Sequence, residues 1–144
     1  MRIIEFEDKY RDDLIFMILQ AKDALGKVPT INEDLFDVRA NYLQKGDMFW
    51  LALDDSDRVV GSIGYSTLQN SQDVRLHRLY VKANLKRQGI GSALLAFAEE
   101  YLRRQNKKSI SVHLGEFKYY YESYSFYDKR GYKEYQPRHL IKYL

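Results

Sequence analysis

One stretch, Asp73 to Arg104, limits what this chain can become more than any other. It reads DVRLHRLYVKANLKRQGIGSALLAFAEEYLRR. Val74, Leu76, Leu79, Tyr80 and Val81 form a short β-branched, aromatic and aliphatic run, which predicts a buried strand. Ile90, Leu94, Phe97, Ala98 and Tyr101 then recur at helical spacing and predict one apolar face of a long helix. Glu99–Arg103 and Glu100–Arg104 stand four apart, a pattern expected on the solvent side. Between strand and helix lies Lys86-Arg87-Gln88-Gly89-Ile90-Gly91-Ser92. Glycine lets the backbone turn tightly and come close to a ligand. The first N–H groups of a helix lack internal partners and sit at its positive end, so this turn suits a phosphate. Lys82, Lys86 and Arg87 add positive charge around it.

Spacing excludes two familiar phosphate motifs. The position that would complete Gly-x-Gly-x-x-Gly is Leu94, and no Gly-x-x-x-x-Gly-Lys-Ser/Thr occurs. Composition narrows the class further. The 144 residues are enough for one domain with a real core, expected to span 1–144. A formal net charge of +3 is too small for a general nucleic-acid binder. With no cysteine, thiol chemistry and zinc fingers drop out, and no metal is expected. No stretch approaches the length of a membrane span, and Met1 to Asp8 is too acidic for a secretory signal, so the expected setting is cytoplasmic.

The remaining segments predict a mixed α/β (α+β) fold. Arg2 to Phe6 reads as a strand. Asp8 looks like the cap of a helix with Leu14, Met17, Ile18, Ala21 and Leu25 inward, stopped at Gly26. Thr30 to Glu33 resembles a capping box opening a second helix with Leu35, Val38, Tyr42 and Leu43 inward, stopped at Gly46. Met48–Leu53 and Val59–Thr67 read as a hairpin around Asp54 to Asp57. Ser109–Leu114 alternates Ile110, Val112 and Leu114 against Ser109, Ser111 and His113. Its helical link from the strand at Asp73 implies a parallel pair with a right-handed crossover. Tyr120, Tyr124 and Tyr127 then share a helical face, Gly131 ends that helix, and Tyr132–Tyr135 and His139–Tyr143 close the sheet.

Leu79-Tyr80-Val81 followed after five residues by Arg87-Gln88-Gly89-Ile90-Gly91 resembles the acyl-CoA-binding motif of the GNAT acetyltransferases. That motif is Gln/Arg-x-x-Gly-x-Gly/Ala after a strand ending in Leu-x-Val. Lys86 at its first position keeps the charge but loses the flat guanidinium or amide. Downstream, Phe126-Tyr127-Asp128-Lys129-Arg130-Gly131-Tyr132 is similar to the family's Phe-Tyr-Glu-Lys-x-Gly-Phe. The resemblance implies a central mixed sheet flanked by helices, with two parallel strands splayed to admit acetyl-CoA. It implies that Leu79, Tyr80 and Val81 bond the pantetheine arm through main chain. Lys86, Arg87, Gln88, Gly89, Ile90, Gly91 and Ser92 would hold the pyrophosphate, with Tyr120 and Ser123 lining the arm. The reaction implied is transfer of an acetyl group to a primary amine of a small molecule. A peptide amine, or acyl-CoA binding without turnover, is the alternative.

Such a transfer needs the cofactor held, the amine deprotonated, the thioester oxygen stabilised and the sulfur protonated. Tyr127 stands where many of these enzymes carry the acid for the sulfur, although it also suits plain packing. For the base, some members use a glutamate on the organising strand, but Arg75 occupies the matching position. Asp73, His77 and Glu116 are the candidates; His77 is expected on the same strand face as Leu79, with an ordinary pKa suited to neutral pH. Glu33, Asp34 and Asp37 would favour a cationic acceptor, although acidic first turns are an ordinary helix feature. A homodimer through the closing strands is a further expectation.

Overall fold

The structure is a computed structural model describing residues 1–144. Seven strands make one sheet: β1 (Arg2–Glu5), β2 (Phe49–Leu53), β3 (Val59–Thr67), β4 (Asp73–Val81), β5 (Ser109–His113), β6 (Lys133–Gln136) and β7 (His139–Tyr143). Their order is β1-β2-β3-β4-β5-β7-β6. The β4–β5 pair is parallel and the others are antiparallel. Helix α3 (Ile90–Arg104) supplies the crossover between β4 and β5, as a parallel pair requires.

Each face of the sheet buries its own core. On one side α1 (Arg11–Ala24) and α2 (Val38–Asn41) cover Phe49, Leu51, Leu53 and Val59 with Leu14, Met17, Ile18, Leu35, Val38 and Tyr42. On the other, α3 lays Ile90, Leu94, Leu95, Ala98 and Leu102 over Trp50, Val60, Val74 and Leu76. Helix α4 (Phe117–Asp128) closes that side by burying Tyr127. Gly26 and Gly46 end their segments in the left-handed region, at φ 83° and 86°.

Several expectations need correction. Asp8 does not cap α1: it opens a 3-10 turn, and its carboxylate pairs with Arg39 at 3.4 Å. The Thr30 capping box does not form either. The buried ammonium of Lys22 donates to the Thr30 carbonyl at 2.8 Å and to Asn32 Oδ1 at 2.6 Å, so this segment wraps a cation instead of starting a helix. The following residues form a 3-10 turn (Glu33–Asp37), the single turn α2 capped by Asp37, and a second 3-10 turn (Leu43–Lys45). Phe97 lies 41% exposed, edge-on to Trp50, while Leu95 and Leu102 fill the core. Glu99 is buried: Tyr132 donates to it at 2.8 Å and Lys142 at 3.0 Å, because the chain after α4 folds over that part of α3. Ser109 and Ser111 are as buried as Ile110 and Val112, since β5 is covered on both faces.

Candidate active site

The site begins where the sheet comes apart. β4 and β5 pair only from Asp73–Ser109 to Arg75–Ser111. From Leu76 onward β4 stays bonded to β3, but its edge toward β5 has no strand partner. The separation coincides with a bulge. Ser62 pairs with Tyr80 and Gly64 with His77, so Arg78 and Leu79 together oppose Ile63. Arg78 adopts φ 56°, unusual for a residue with a side chain. Two contacts hold it there. Its guanidinium donates to Asp34 at 2.8 and 3.1 Å, and its carbonyl accepts from Ser62 Oγ at 2.7 Å.

The extra residue reverses the alternation along β4. Val74 and Leu76 pack toward α3, and after the bulge so do Leu79 and Val81. His77 packs edge-on against Tyr42, and Tyr80 joins the core under α1. His77 and Leu79 therefore face opposite sides of the sheet, contrary to the expectation from simple alternation.

The gap opens into a cleft of about 1200 Å³. All the residues expected to hold acetyl-CoA except Gln88 line it, as do Tyr127 and His77. At one end is the turn into α3. Arg87 and Gly89 take φ 65° and 84°, curling the chain into the helix. The N–H groups of Gln88, Gly89, Ile90, Gly91 and Ser92 donate to no backbone acceptor. These orphaned donors at the positive end of a fifteen-residue helix fit a pyrophosphate. Arg130 adds a charge that the sequence reading passed over. It stacks on Phe126 with 3.8 Å from guanidinium to ring, donates to the Phe126 carbonyl at 2.9 Å, and donates to Ser92 Oγ. Its spacing four residues after Phe126 was the available signal. Lys86 and Arg87 reach Glu122 at 3.9 and 3.7 Å, both exposed.

Three tyrosines furnish the middle of the cleft. Tyr127 is buried, packed edge-on between Phe126 and Tyr132, and its hydroxyl makes no hydrogen bond to another side chain. Burial, then the nearby Tyr80, pushes its pKa well above the ordinary phenol value. Burial, then Tyr120, pushes Tyr80 up to about 12. Tyr120 marks a kink in α4, with φ −121°, which breaks the helical face expected to run through Tyr120, Tyr124 and Tyr127. Its ring lies where a Cβ on Gly115 would collide with it, and its hydroxyl accepts from Lys27 at 3.0 Å.

At the far end the base candidates separate. Asp73 is bonded to Ser109 Oγ at 2.7 Å, outside the cleft, and Glu116 is an exposed partner of Lys118 at 3.7 Å. Only His77 lines the cleft. Its Nε2 shares a 2.8 Å hydrogen bond with Ser66 Oγ. Burial, then Arg78, lowers its pKa to about 4, so the ring is neutral at physiological pH and a weak base. None of Glu33, Asp34 and Asp37 lines the cleft. Asp34 is committed to Arg78 and to the Tyr42 hydroxyl, and Asp37 to α2. The acidic acceptor pocket suggested by those residues is absent; Lys22, Lys27, Arg75 and Arg78 line the cleft on this side. No group of three or more His, Asp and Glu side chains is arranged to hold a metal ion, and no helix is long and apolar enough to cross a membrane.

This combination of a split parallel pair, a bulged strand and a helix-end anion cradle defines a class. The profile of the Acetyltransferase (GNAT) family matches residues 15–132, and the chain belongs to that family. An acetyltransferase of the GNAT family from Staphylococcus aureus Mu50 superposes with a TM-score of 0.90 at 26% identity, covering 99% of this chain and 98% of that one. A PaiA N-acetyltransferase from Thermoplasma acidophilum, solved in complex with coenzyme A, shares the fold with a TM-score of 0.76 at 19% identity over 97% of this chain and 95% of that one. Human N-acetyltransferase 8 is 26% identical over 110 residues, 73% of this chain and 47% of that protein. The chain spans about half the length, or less, of the curated relatives it matches.

Proposed function

We propose that this protein is an acetyl-CoA-dependent N-acetyltransferase that moves an acetyl group directly to a primary amine of a small molecule. One observation carries the reading: the unpaired edge of β4 leads straight into the orphaned N–H groups of residues 88–92, with Tyr127 lining the same cleft. The cofactor named with the Thermoplasma acidophilum relative points the same way.

Acetyl-CoA supplies an acetyl group already activated as a thioester. The N–H groups of Gln88 to Ser92, with Arg130, hold its phosphates through main-chain donors and one fixed cation. Leu79, Tyr80 and Val81 align the extended arm along the open strand edge, as a peptide adds to a free sheet edge. The bulge at Arg78 leaves Leu79 on the unpaired stretch of β4, and its N–H would serve as the fixed dipole that stabilises negative charge developing on the thioester oxygen. Tyr127 gives its phenolic proton to the departing sulfur. Its raised pKa means the phenol carries its proton at neutral pH. Of Asp73, His77 and Glu116, only His77 lines the cleft, which supports it as the group that takes the amine proton. The same reading puts the protein in the cytoplasm. It also allows a homodimer through β6, one of the two edge strands of the sheet.

The test is Tyr127→Phe. Thiol release from acetyl-CoA in the presence of amines should fall by roughly 10²- to 10⁴-fold in kcat, with KM for acetyl-CoA unchanged. Coenzyme A at about a hundred times its Kd should stabilise wild type and variant alike by roughly 2.7 kcal/mol. Unchanged turnover in Tyr127→Phe would remove the acid role. Stabilisation by coenzyme A with no turnover of any amine would favour an acyl-CoA-binding module. That second reading draws on the weak basicity of His77.

A further inference from the structure

Building on the acetyltransferase reading, we infer that the acceptor is an amine that also carries a carboxylate, and that Arg75 is the residue that selects it. The argument starts from charge. Among the residues lining the cleft the only carboxylate is Glu122, and it sits beside Lys86 and Arg87 at the cradle end. The α1 side presents Lys22, Lys27 and Arg75 with no acidic partner for any of them. Lys22 is satisfied by a carbonyl and an amide oxygen, and Lys27 by the Tyr120 phenol. Arg78 has spent its charge on Asp34.

Arg75 is different in kind. Its Nε is fully buried and has no hydrogen-bond partner in the protein, the only such side-chain atom in the molecule. A buried donor of a charged group left unpaired is costly, and native proteins rarely keep one without use. Arg75 lies on the same face of β4 as His77 and at the last paired position before the strands part. Val81 lies six residue steps further along the strand, about 20 Å at the usual rise, so Arg75 does not belong to the phosphate cradle. The two terminal nitrogens of the same guanidinium have no hydrogen-bond partner either but are not shut off from solvent, and end-on they match a carboxylate through two parallel hydrogen bonds. An acceptor with only an ammonium group would meet like charge on this wall, whereas one with a carboxylate neutralises it.

Matched amines test this. Thiol release from saturating acetyl-CoA is compared for L-lysine against cadaverine and L-phenylalanine against phenethylamine, with each amino acid's α-amide and with phosphoethanolamine. The carboxylated member of each pair should show kcat/KM higher by on the order of ten- to a hundredfold, the worth of one charge-assisted contact. Arg75→Gln should abolish that preference and Arg75→Lys restore part of it, while the thermal shift with coenzyme A stays at its wild-type value. Calorimetric titration of the same amines into coenzyme A-loaded protein reads binding independently of turnover. Equal or better use of the decarboxylated amines, a preference for phosphoethanolamine, retention of the preference in Arg75→Gln, or no binding of any carboxylated amine would each overturn the inference. Absence of a thermal shift with coenzyme A would instead remove the acetyltransferase reading beneath it.

Discussion

The two ends of the cleft are built by different means. The cradle end is main chain: a left-handed turn at Arg87 and Gly89, then the unpartnered N–H groups that open α3. Its parts are contiguous in sequence. The acceptor end is side chain, assembled from α1, the loop after it, β4 and the start of α4. Asp34 reaches Arg78 across 44 positions, and Lys27 reaches Tyr120 across 93. A main-chain site tolerates changes of side chain but not of backbone geometry, whereas a side-chain cluster loses its function one residue at a time. Single substitutions can break or sharpen that contrast.

The largest structural effect is expected at Asp34. Asp34→Asn leaves Arg78 and Tyr42 without their charged partner. It should cost about 2 kcal/mol, a fall in Tm of roughly 5–10 °C for a chain of this size. Because Arg78 also fixes the bulge, activity should fall with it. A change of under about 2 °C would mean the bulge stands without this pair.

Acid titration should show two stages of lost stability. His77 has a folded pKa near 4, below its ordinary value of about 6.5, so the unfolded chain binds more protons between the two. Stability therefore falls as pH drops from about 6.5 toward 4, and His77→Gln should flatten this stage by on the order of 1 kcal/mol. Burial pushes the Asp34 carboxyl up, but Arg78 and the Tyr42 hydroxyl outweigh it and hold it low. Its contribution is present above the ordinary carboxylate range and is lost as pH falls below about 4. Denaturant melts across this range for both variants separate the stages.

Smaller effects belong to the cradle. Gly89→Ala places a Cβ in the left-handed region, a cost of about 1 kcal/mol, although the space around it is open. Coenzyme A should bind several-fold more weakly, whereas Gln88→Ala should leave its Kd within about twofold. Smallest of all, Glu122→Gln releases Lys86 and Arg87 from long, exposed ion pairs. Coenzyme A binding should tighten by about twofold at low salt and not at high salt. A larger loss at Gln88 than at Gly89 would reverse the contrast.

The same contrast governs what was legible in the sequence. The strand–turn–helix from Asp73 to Arg104 was readable because helix periodicity and glycine placement are local signals. The bulge at Arg78 left no such mark, so His77 was assigned to the wrong face. Lys22 sits on an otherwise regular helix, and nothing nearby shows that its ammonium turns the Thr30 segment away from a capping box. Glu99 looked like one half of an exposed pair because its partners, Tyr132 and Lys142, arrive from a later part of the chain. Arg75 read as a missing base; only the fold reveals it as a half-buried cation without a counter-ion, its Nε closed off from solvent.

The short pairing of β4 with β5 has a mechanical consequence. β1 to β4 form one half-sheet and β5 to β7 the other. Between them run the three-residue ladder from Asp73 to Arg75, a few bonds at the same end (Lys108 to Gln72, Ser109 to Asp73, Ser111 to Val74 and Lys107 to Thr67), and the packing against α3. Halves joined so sparingly can open as separate cooperative units. A long ligand lying in the seam acts as a splint across both. Amide hydrogens of β7, which the ligand never touches, should therefore exchange more slowly once coenzyme A is bound.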